Sequence, residues 1–202
     1  LSIDSSTLIG SETLILGGNT TGTLSSSNAG TRTIGSNANG ITLSNGLNGG
    51  LASNYTLTGG THSIIINPKT LNLTGTRQYD ASTDALSSNL TLSGLIGSET
   101  LNLNGTGSTL SPNVSSNYAI SLGTLTLADN TGQASNYTLS GGTHSFDITK
   151  RILSFTGSRQ YDATTDAAAS DITLSGLQGG ETLTLSGTGS FTSSNVGSGK
   201  TV

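Results

Sequence analysis

Cysteine, methionine and tryptophan are absent from the 202 residues, and proline occurs only twice. Without cysteine there is no disulfide framework, no zinc-finger thiolate set and no thioredoxin-like redox motif. The absence also suits passage through an oxidising compartment, where stray thiols mispair. Without methionine the chain lacks the residue that starts a translated protein. It opens on Leu1 and reads as an internal piece of a longer chain, or as a processed product. The stretch from Leu1 to Gly10 has no basic n-region and no small-residue cleavage site. On that reading, the missing signal says nothing about export. No run of about 18 apolar residues occurs, which excludes a membrane-spanning helix. Charge is scarce as well, at 9% of residues against about 25% in an ordinary soluble domain. Seven basic residues against eleven acidic ones leave a net charge of −4. A phosphate-binding surface for nucleic acid is not built from that balance.

What the chain does have is small residues. Threonine occurs 34 times, serine 33 and glycine 29, and they are arranged in repeats. Gln78-Tyr79-Asp80 recurs as Gln160-Tyr161-Asp162, and 161 − 79 = 82. Ser53-Asn54-Tyr55-Thr56-Leu57 recurs as Ser135-Asn136-Tyr137-Thr138-Leu139, again 82 apart. Gly59-Gly60-Thr61-His62-Ser63 recurs as Gly141-Gly142-Thr143-His144-Ser145 at the same spacing. Glu99 and Glu181, each before Thr-Leu, are also 82 apart, whereas Glu12 lies 87 before Glu99. Five extra residues therefore sit between Glu12 and Tyr55, expected as a loop insertion around Ser36 to Gly50. The segments are the later part of one module (1–68), a complete module (69–150) and the first part of the next (151–202). Their joints, Asn67-Pro68-Lys69 and Thr149-Lys150-Arg151, carry no Gly/Ser linker, as in a semi-rigid rod.

Within a segment the hydrophobic period is two. Thr70 to Thr74, Leu90 to Leu92, Thr100 to Leu103, Ile120 to Leu122, Leu125 to Leu127, Tyr137 to Leu139 and Phe146 to Ile148 alternate apolar and polar. That alternation reads as half-buried strands. Gly94, Gly97, Asn104-Gly105, Asn130-Thr131-Gly132 and Gly141-Gly142 mark the turns between them. One helical turn is expected at Asp84 to Ser88 and another at Asp166 to Ala169. The fold class is all-β: tandem Ig-like antiparallel β-sandwich modules with an 82-residue repeat. The alternatives are a β-solenoid, whose self-similarity would come every 20–30 residues, and a β-grasp module. The core is expected to be Leu and Ile, with Tyr79, Tyr137 and Phe146 as its bulky pieces. Tyr137 follows Ala134-Ser135-Asn136 and is expected to act as a corner tyrosine, its hydroxyl bonded to loop backbone.

Arg77-Gln78-Tyr79-Asp80-Ala81-Ser82-Thr83, then Gly97-Ser98-Glu99-Thr100-Leu101, Ser135-Asn136-Tyr137-Thr138-Leu139 and Phe146-Asp147-Ile148-Thr149-Lys150 resemble the YDG domain and the related MBG repeats. Such repeats occur in very long exported proteins of Gram-negative bacteria, similar to filamentous-haemagglutinin-type adhesins of two-partner secretion. The third signature position departs from the pattern, with Ala81 and Ala163 in place of glycine. If that position takes φ > 0, alanine there costs of order 1 kcal/mol per site. The resemblance implies a stalk or adhesion segment at the cell surface or outside the cell. It implies no catalytic residues.

Candidate chemistry is sparse. His62 and His144 sit one per segment in Thr-His-Ser, and with so much serine a Ser/His/Asp set would arise by chance. No Gly-x-Ser-x-Gly elbow precedes a helix, so both read as strand-surface histidines. Asp80 with Asp84, and Asp162 with Asp166, could contribute to Ca²⁺ binding, but the Asp-x-Asp-x-Asp-Gly spacing is missing. Capping of the turn, or pairing with Arg77, accounts for them. Lys69, Lys150, Glu99 and Glu181 supply the residue types of a Lys–Asn isopeptide lock, or simple solvated charges. Seven Asn-x-Ser/Thr sequons, Asn19 among them, are what chance gives at this Ser/Thr content. No catalytic residue, cofactor-binding residue or metal ligand is assigned. The expected contacts are neighbouring modules of the same chain and cell-surface glycans, with no nucleic acid and no membrane insertion. A glycan-binding module and a subunit of a self-assembling extracellular filament are the competing readings.

Overall fold

The structure is a computed structural model, and it describes residues 3–18, 24–34 and 40–200. Its strands are short. The first four are β1 (Leu14–Gly18), β2 (Gly30–Thr33), β3 (Ile41–Asn45) and β4 (Ser63–Ile66). Then follow β5 (Lys69–Thr70), β6 (Asn72–Gln78), β7 (Asp84–Leu86), β8 (Leu90–Ser93) and β9 (Asn102–Asn104). Next come β10 (Thr106–Ser108), β11 (Ser115–Ala119), β12 (Thr126–Ala128), β13 (Tyr137–Thr138) and β14 (His144–Thr149). The last four are β15 (Ser154–Gly157), β16 (Asp166–Ala168), β17 (Ile172–Ser175) and β18 (Thr188–Ser190). Helix is confined to single 3₁₀ turns, and among the described residues no helix is long and apolar enough to cross a membrane. The all-β class is therefore observed.

The chain forms two compact units. One unit comprises Asn72–Ser93, Leu103–Thr126 and Thr143–Val202. It holds a four-stranded sheet in the order β11-β14-β6-β8. β6 pairs antiparallel with β8, and β14 pairs antiparallel with β11. At the centre β6 and β14 run parallel, with Leu73 opposite His144, Gly75 opposite Phe146 and Arg77 opposite Ile148. A parallel pair needs a long crossover, which everything from β7 to β13 provides. Leu73 and Phe146 are fully buried, Ile148 is 1% exposed, and Ala85, Ile120 and Leu125 complete the core. Burying a side chain the size of Phe146 contributes about 1.5–3 kcal/mol. Gly75 makes that packing possible. A Cβ at this position would lie 2.5 Å from the Asn89 carbonyl oxygen and 2.7 Å from the Phe146 ring. Two-stranded antiparallel pairs β7/β10, β15/β17 and β16/β18 complete the unit.

The other unit comprises Leu1–Leu71, Gly94–Asn102 and Leu127–Gly142. β1 pairs antiparallel with β3, and β2 with β4. β5 and β13 are parallel, with Lys69 opposite Tyr137. The Leu71 amide extends this pairing by donating to the Thr138 carbonyl at 2.9 Å. Ile34, Leu71, Leu101, Tyr137 and Leu139 are its buried apolar residues.

Several expectations change. The sheet is mixed rather than antiparallel throughout, because the first and last long strands of 69–150 lie side by side. Among the described residues no solenoid rungs are seen either. The parallel neighbours are 71 residues apart for His144 and Leu73, and 68 for Tyr137 and Lys69. The helical turns expected at Asp84 and Asp166 are strands β7 and β16. The actual 3₁₀ turns follow at Ser87–Asn89 and Ala169–Asp171. Ala85 and Ala167 are buried opposite Gly107 and Gly189, which holds these residues extended. Of the region expected to carry the insertion, 36–39 lie outside the described residues, and Ile41–Asn45 form strand β3 rather than loop. Asn19 also lies outside them. Tyr79 is only half-buried and is not a core residue.

Candidate functional site

The two corner tyrosines are built alike. Each follows a one-turn 3₁₀ helix, Ala52–Asn54 before Tyr55 and Ala134–Asn136 before Tyr137. Small Ala and Ser allow the tight turn, and a polar side chain secures its start. The Asn45 side chain accepts from the Ala52 amide at 2.8 Å, and Asp129 accepts from the Ala134 amide at 2.7 Å. The turn sets Tyr137 at the head of β13, 6% exposed. Its hydroxyl accepts the Ile96 amide at 3.1 Å and donates to the Glu99 carboxylate. Tyr55 does the same, accepting the Ile9 amide at 3.3 Å and donating to Glu12. The bond to loop backbone expected of Tyr137 is present, and Tyr55 makes a matching one. The glutamate is an addition to it, presented by a turn in which the Glu99 amide donates to the Ile96 carbonyl at 3.1 Å. Donation to Glu99 and Glu12 pushes both phenols above their ordinary value of 10. A phenol bound to a carboxylate holds its proton more tightly.

The signature turn is a second recurring constellation. The Arg77 guanidinium pairs with Asp80 and also donates to the Ser82 carbonyl, while lying 6.0 Å from the centre of the Phe146 ring. Asp80 in turn accepts from the Ser82 amide at 3.0 Å. The turn 82 residues later is built alike, with Phe191 as its ring. Arg159 pairs with Asp162, donates to the Thr164 carbonyl at 2.7 Å and lies 5.6 Å from the Phe191 ring centre. Asp162 is held at about 2, first by Arg159 and then by the Thr164 amide and hydroxyl. These bonds hold Ala81 at φ 65° and Ala163 at φ 61°, the left-handed region suited to glycine. The Asp–Arg pairing thus occupies Asp80 and Asp162. Among the described residues no three His, Asp or Glu side chains gather where they could hold a metal ion.

The remaining nominated residues are dispersed. His62 is half-buried and donates from Nε2 to the Leu57 carbonyl at 2.7 Å. His144 is half-buried in β14 opposite Leu73. Lys69 and Lys150 are exposed, whereas Glu99 is engaged by Tyr137. An isopeptide lock is not assembled from these four residues.

Among the described residues, side chains join consecutive segments at two places, which the 82-residue spacing could not reveal. The Tyr79 hydroxyl donates to Glu181, 102 residues on. Beside it, a Cβ at Gly179 would fall 2.8 Å from the Ala81 Cβ. In the other unit, the Asn136 side chain accepts from the Ala29 amide at 2.7 Å and donates to the Asn28 side chain at 3.0 Å. A cleft of about 590 Å³ lies along β15, lined by Phe155, Arg159, Tyr161 and Phe191. At the matching place in 69–150, β14 fills the space beside β6 and the equivalent of Phe155, Leu73, is fully buried.

Compared with known families, residues 66–144 and 149–202 match the YDG domain. No curated protein and no solved structure matches the chain.

Proposed function

The chain belongs to the YDG domain family, and on that premise we propose that it is a structural, non-enzymatic segment of a bacterial surface adhesin. Its modules, of which 69–150 is the complete one, project a binding region away from the cell. The observation that carries this reading is the recurrence of two mechanical devices. The tyrosine–glutamate clasp occurs at Tyr55–Glu12 and again at Tyr137–Glu99. The arginine–aspartate turn occurs at Arg77–Asp80 and again at Arg159–Asp162. Tandem copies of a brace suit a load-bearing spacer. A surface dominated by Thr and Ser, with 9% charge, keeps such a spacer hydrated without a strong field to attract polyanions. An antibody raised against residues 1–202 tests location. It should label intact cells that express the full-length protein, and protease treatment of those cells should remove the label. Labelling only after permeabilisation would overturn the reading.

A further inference from the structure

Within its own segment the signature-turn tyrosine is held by its backbone, the Tyr79 amide donating to the Thr149 carbonyl at 2.9 Å. Its neighbours Arg77 and Asp80 hold the turn together. Tyr79 points elsewhere, and its hydroxyl reaches Glu181 of the following segment. Ala81, two residues on, meets the same foreign turn at Gly179. Gly179 carries φ 60°, and a side chain there would collide with Ala81. Two points of the signature turn therefore meet two points of the Gly179-Gly180-Glu181 turn. We propose that the signature turn is a docking surface for the next repeat, with the glutamate of that repeat's Gly-x-Glu-Thr-Leu turn as its receptor.

A further observation supports this. The receptor glutamate has capacity to spare. A carboxylate offers about four lone-pair sites on two oxygens. Glu12 and Glu99 each give one oxygen to the corner tyrosine of their own segment. A signature tyrosine arriving from the preceding repeat would take the other oxygen, as Glu181 receives Tyr79. One side chain can therefore brace a module and fix it to its neighbour, which sets the angle between successive repeats at a point rather than leaving it to a linker. This inference rests on the spacer reading, but its test is independent of cellular location.

The chain contains no cysteine, so two introduced cysteines accept spin labels without competition. Ser88→Cys and Ser186→Cys place one exposed label in each segment. Pulsed electron paramagnetic resonance on the full chain should give one narrow distance distribution. Tyr79→Phe and Glu181→Gln should each broaden it at least twofold, and the double variant should be no broader than either single one. Gly179→Val, which removes the contact sterically and keeps both polar groups, should also broaden it. Tyr161→Phe should leave it unchanged. A distribution that stays narrow in Tyr79→Phe, Glu181→Gln and Gly179→Val, or one already broad in the parent, overturns the proposal. Failure here would leave the antibody test of location untouched.

Discussion

Tyr137 and Glu99, 38 residues apart in sequence, form one hydrogen-bonded clasp, and the Ile96 amide completes it at 3.1 Å from the phenolic oxygen. The tyrosine contributes in two ways, by ring burial and by its hydroxyl. Tyr137→Phe keeps the ring and leaves the Ile96 amide and the Glu99 carboxylate to find water. Tyr137→Ala loses the ring as well, in a unit with few other large buried groups. Thermal melting should therefore show a moderate drop for Tyr137→Phe and near-complete loss of the transition of that unit for Tyr137→Ala. Glu99→Gln should cost less than Tyr137→Phe, because an amide oxygen still accepts the same bond, without charge assistance, and the Ile96 bond remains. An alanine variant that melts like the parent would mean that the ring is not part of the core.

Phe146 allows a sharper number. It is fully buried against Gly75, and a Cβ on Gly75 would lie 2.7 Å from the Phe146 ring and 2.5 Å from the Asn89 carbonyl oxygen. Phe146→Ala should cost about 3–5 kcal/mol by loss of transfer energy and creation of a cavity. Gly75→Val should also destabilise, for the opposite reason, by about 1–3 kcal/mol from overpacking. The double variant Gly75→Val/Phe146→Ala tests the geometry, since valine would enter the space the ring leaves. Urea unfolding should find the double variant less destabilised than the sum of the two single variants. Simple additivity would show that the two positions do not share the space.

The corner tyrosine was legible in the sequence because Ala-Ser-Asn before an aromatic residue is a local signal, and local hydrogen bonds enforce it. The same signal also occurs in forms that are easy to pass over. Ser87-Ser88-Asn89 precedes Leu90 and Ala169-Ser170-Asp171 precedes Ile172, and both are 3₁₀ turns opening strands β8 and β17. Strand β11 was hidden because Ser115–Ala119 is polar at most positions and breaks its register between Ser115 and Tyr118. The parallel seam was hidden for a different reason. Alternation in Leu71, Leu73, Phe146 and Ile148 tells which face is buried, not which strand lies alongside. Tyr79 read as core because aromatic residues are rare in this chain. Its carboxylate lies one repeat away, where no single-module pattern looks.

Stability should be flat across neutral pH and fall at both ends, for reasons that can be assigned. The phenols of Tyr55, Tyr79 and Tyr137 are raised above 10 by donation to Glu12, Glu181 and Glu99. A raised acid binds its proton more tightly in the folded state. Its contribution is complete below the unfolded value near 10 and is lost as pH rises through the folded value. Asp162 behaves in the opposite way. It is lowered from 3.8 to about 2, chiefly by Arg159, so its contribution is present above 3.8 and disappears as pH falls towards 2. Chemical denaturation between pH 2 and 12 should show both limbs. Asp162→Asn should flatten the acid limb, and Tyr137→Phe should weaken the alkaline one. An alkaline limb unchanged in Tyr137→Phe would detach it from the clasp.

Ala81 and Ala163 hold φ 65° and φ 61°. A left-handed conformation costs an L-residue with a Cβ about 1–2 kcal/mol. Glycine removes that strain but brings about 0.4–1 kcal/mol of extra unfolded-state entropy. The difference favours glycine, so Ala163→Gly should stabilise by up to about 1 kcal/mol, read as a higher urea midpoint at constant slope. Ala81→Gly should gain less, because Ala81 also supplies the contact to Gly179. Equal gains at the two sites would show that this contact contributes nothing.

Residues 69–150 should fold when produced alone. Every pairing of the mixed sheet falls within them: β6 with β8, β6 with β14, and β14 with β11. So do the parallel pair β5/β13 and the antiparallel pair β7/β10. The buried residues Leu71, Leu73, Ala85, Leu101, Ile120, Leu125, Tyr137, Leu139, Phe146 and Ile148 are all inside the same limits, as is the Tyr137–Glu99 clasp. A piece of equal length moved back by half a repeat, 28–109, has the opposite character. It keeps β6 and β8 but loses β11 to β14, so Gly75 has no Phe146 opposite it and Glu99 has no Tyr137. An 82-residue domain has only about 4–12 kcal/mol of stability in total, and removing Phe146 burial alone takes about 3–5 kcal/mol of it. Far-ultraviolet circular dichroism and thermal melting should give a cooperative transition for 69–150 and none for 28–109. Equal cooperativity in the two pieces would place the module boundary elsewhere, and with it the joint at Thr149-Lys150-Arg151.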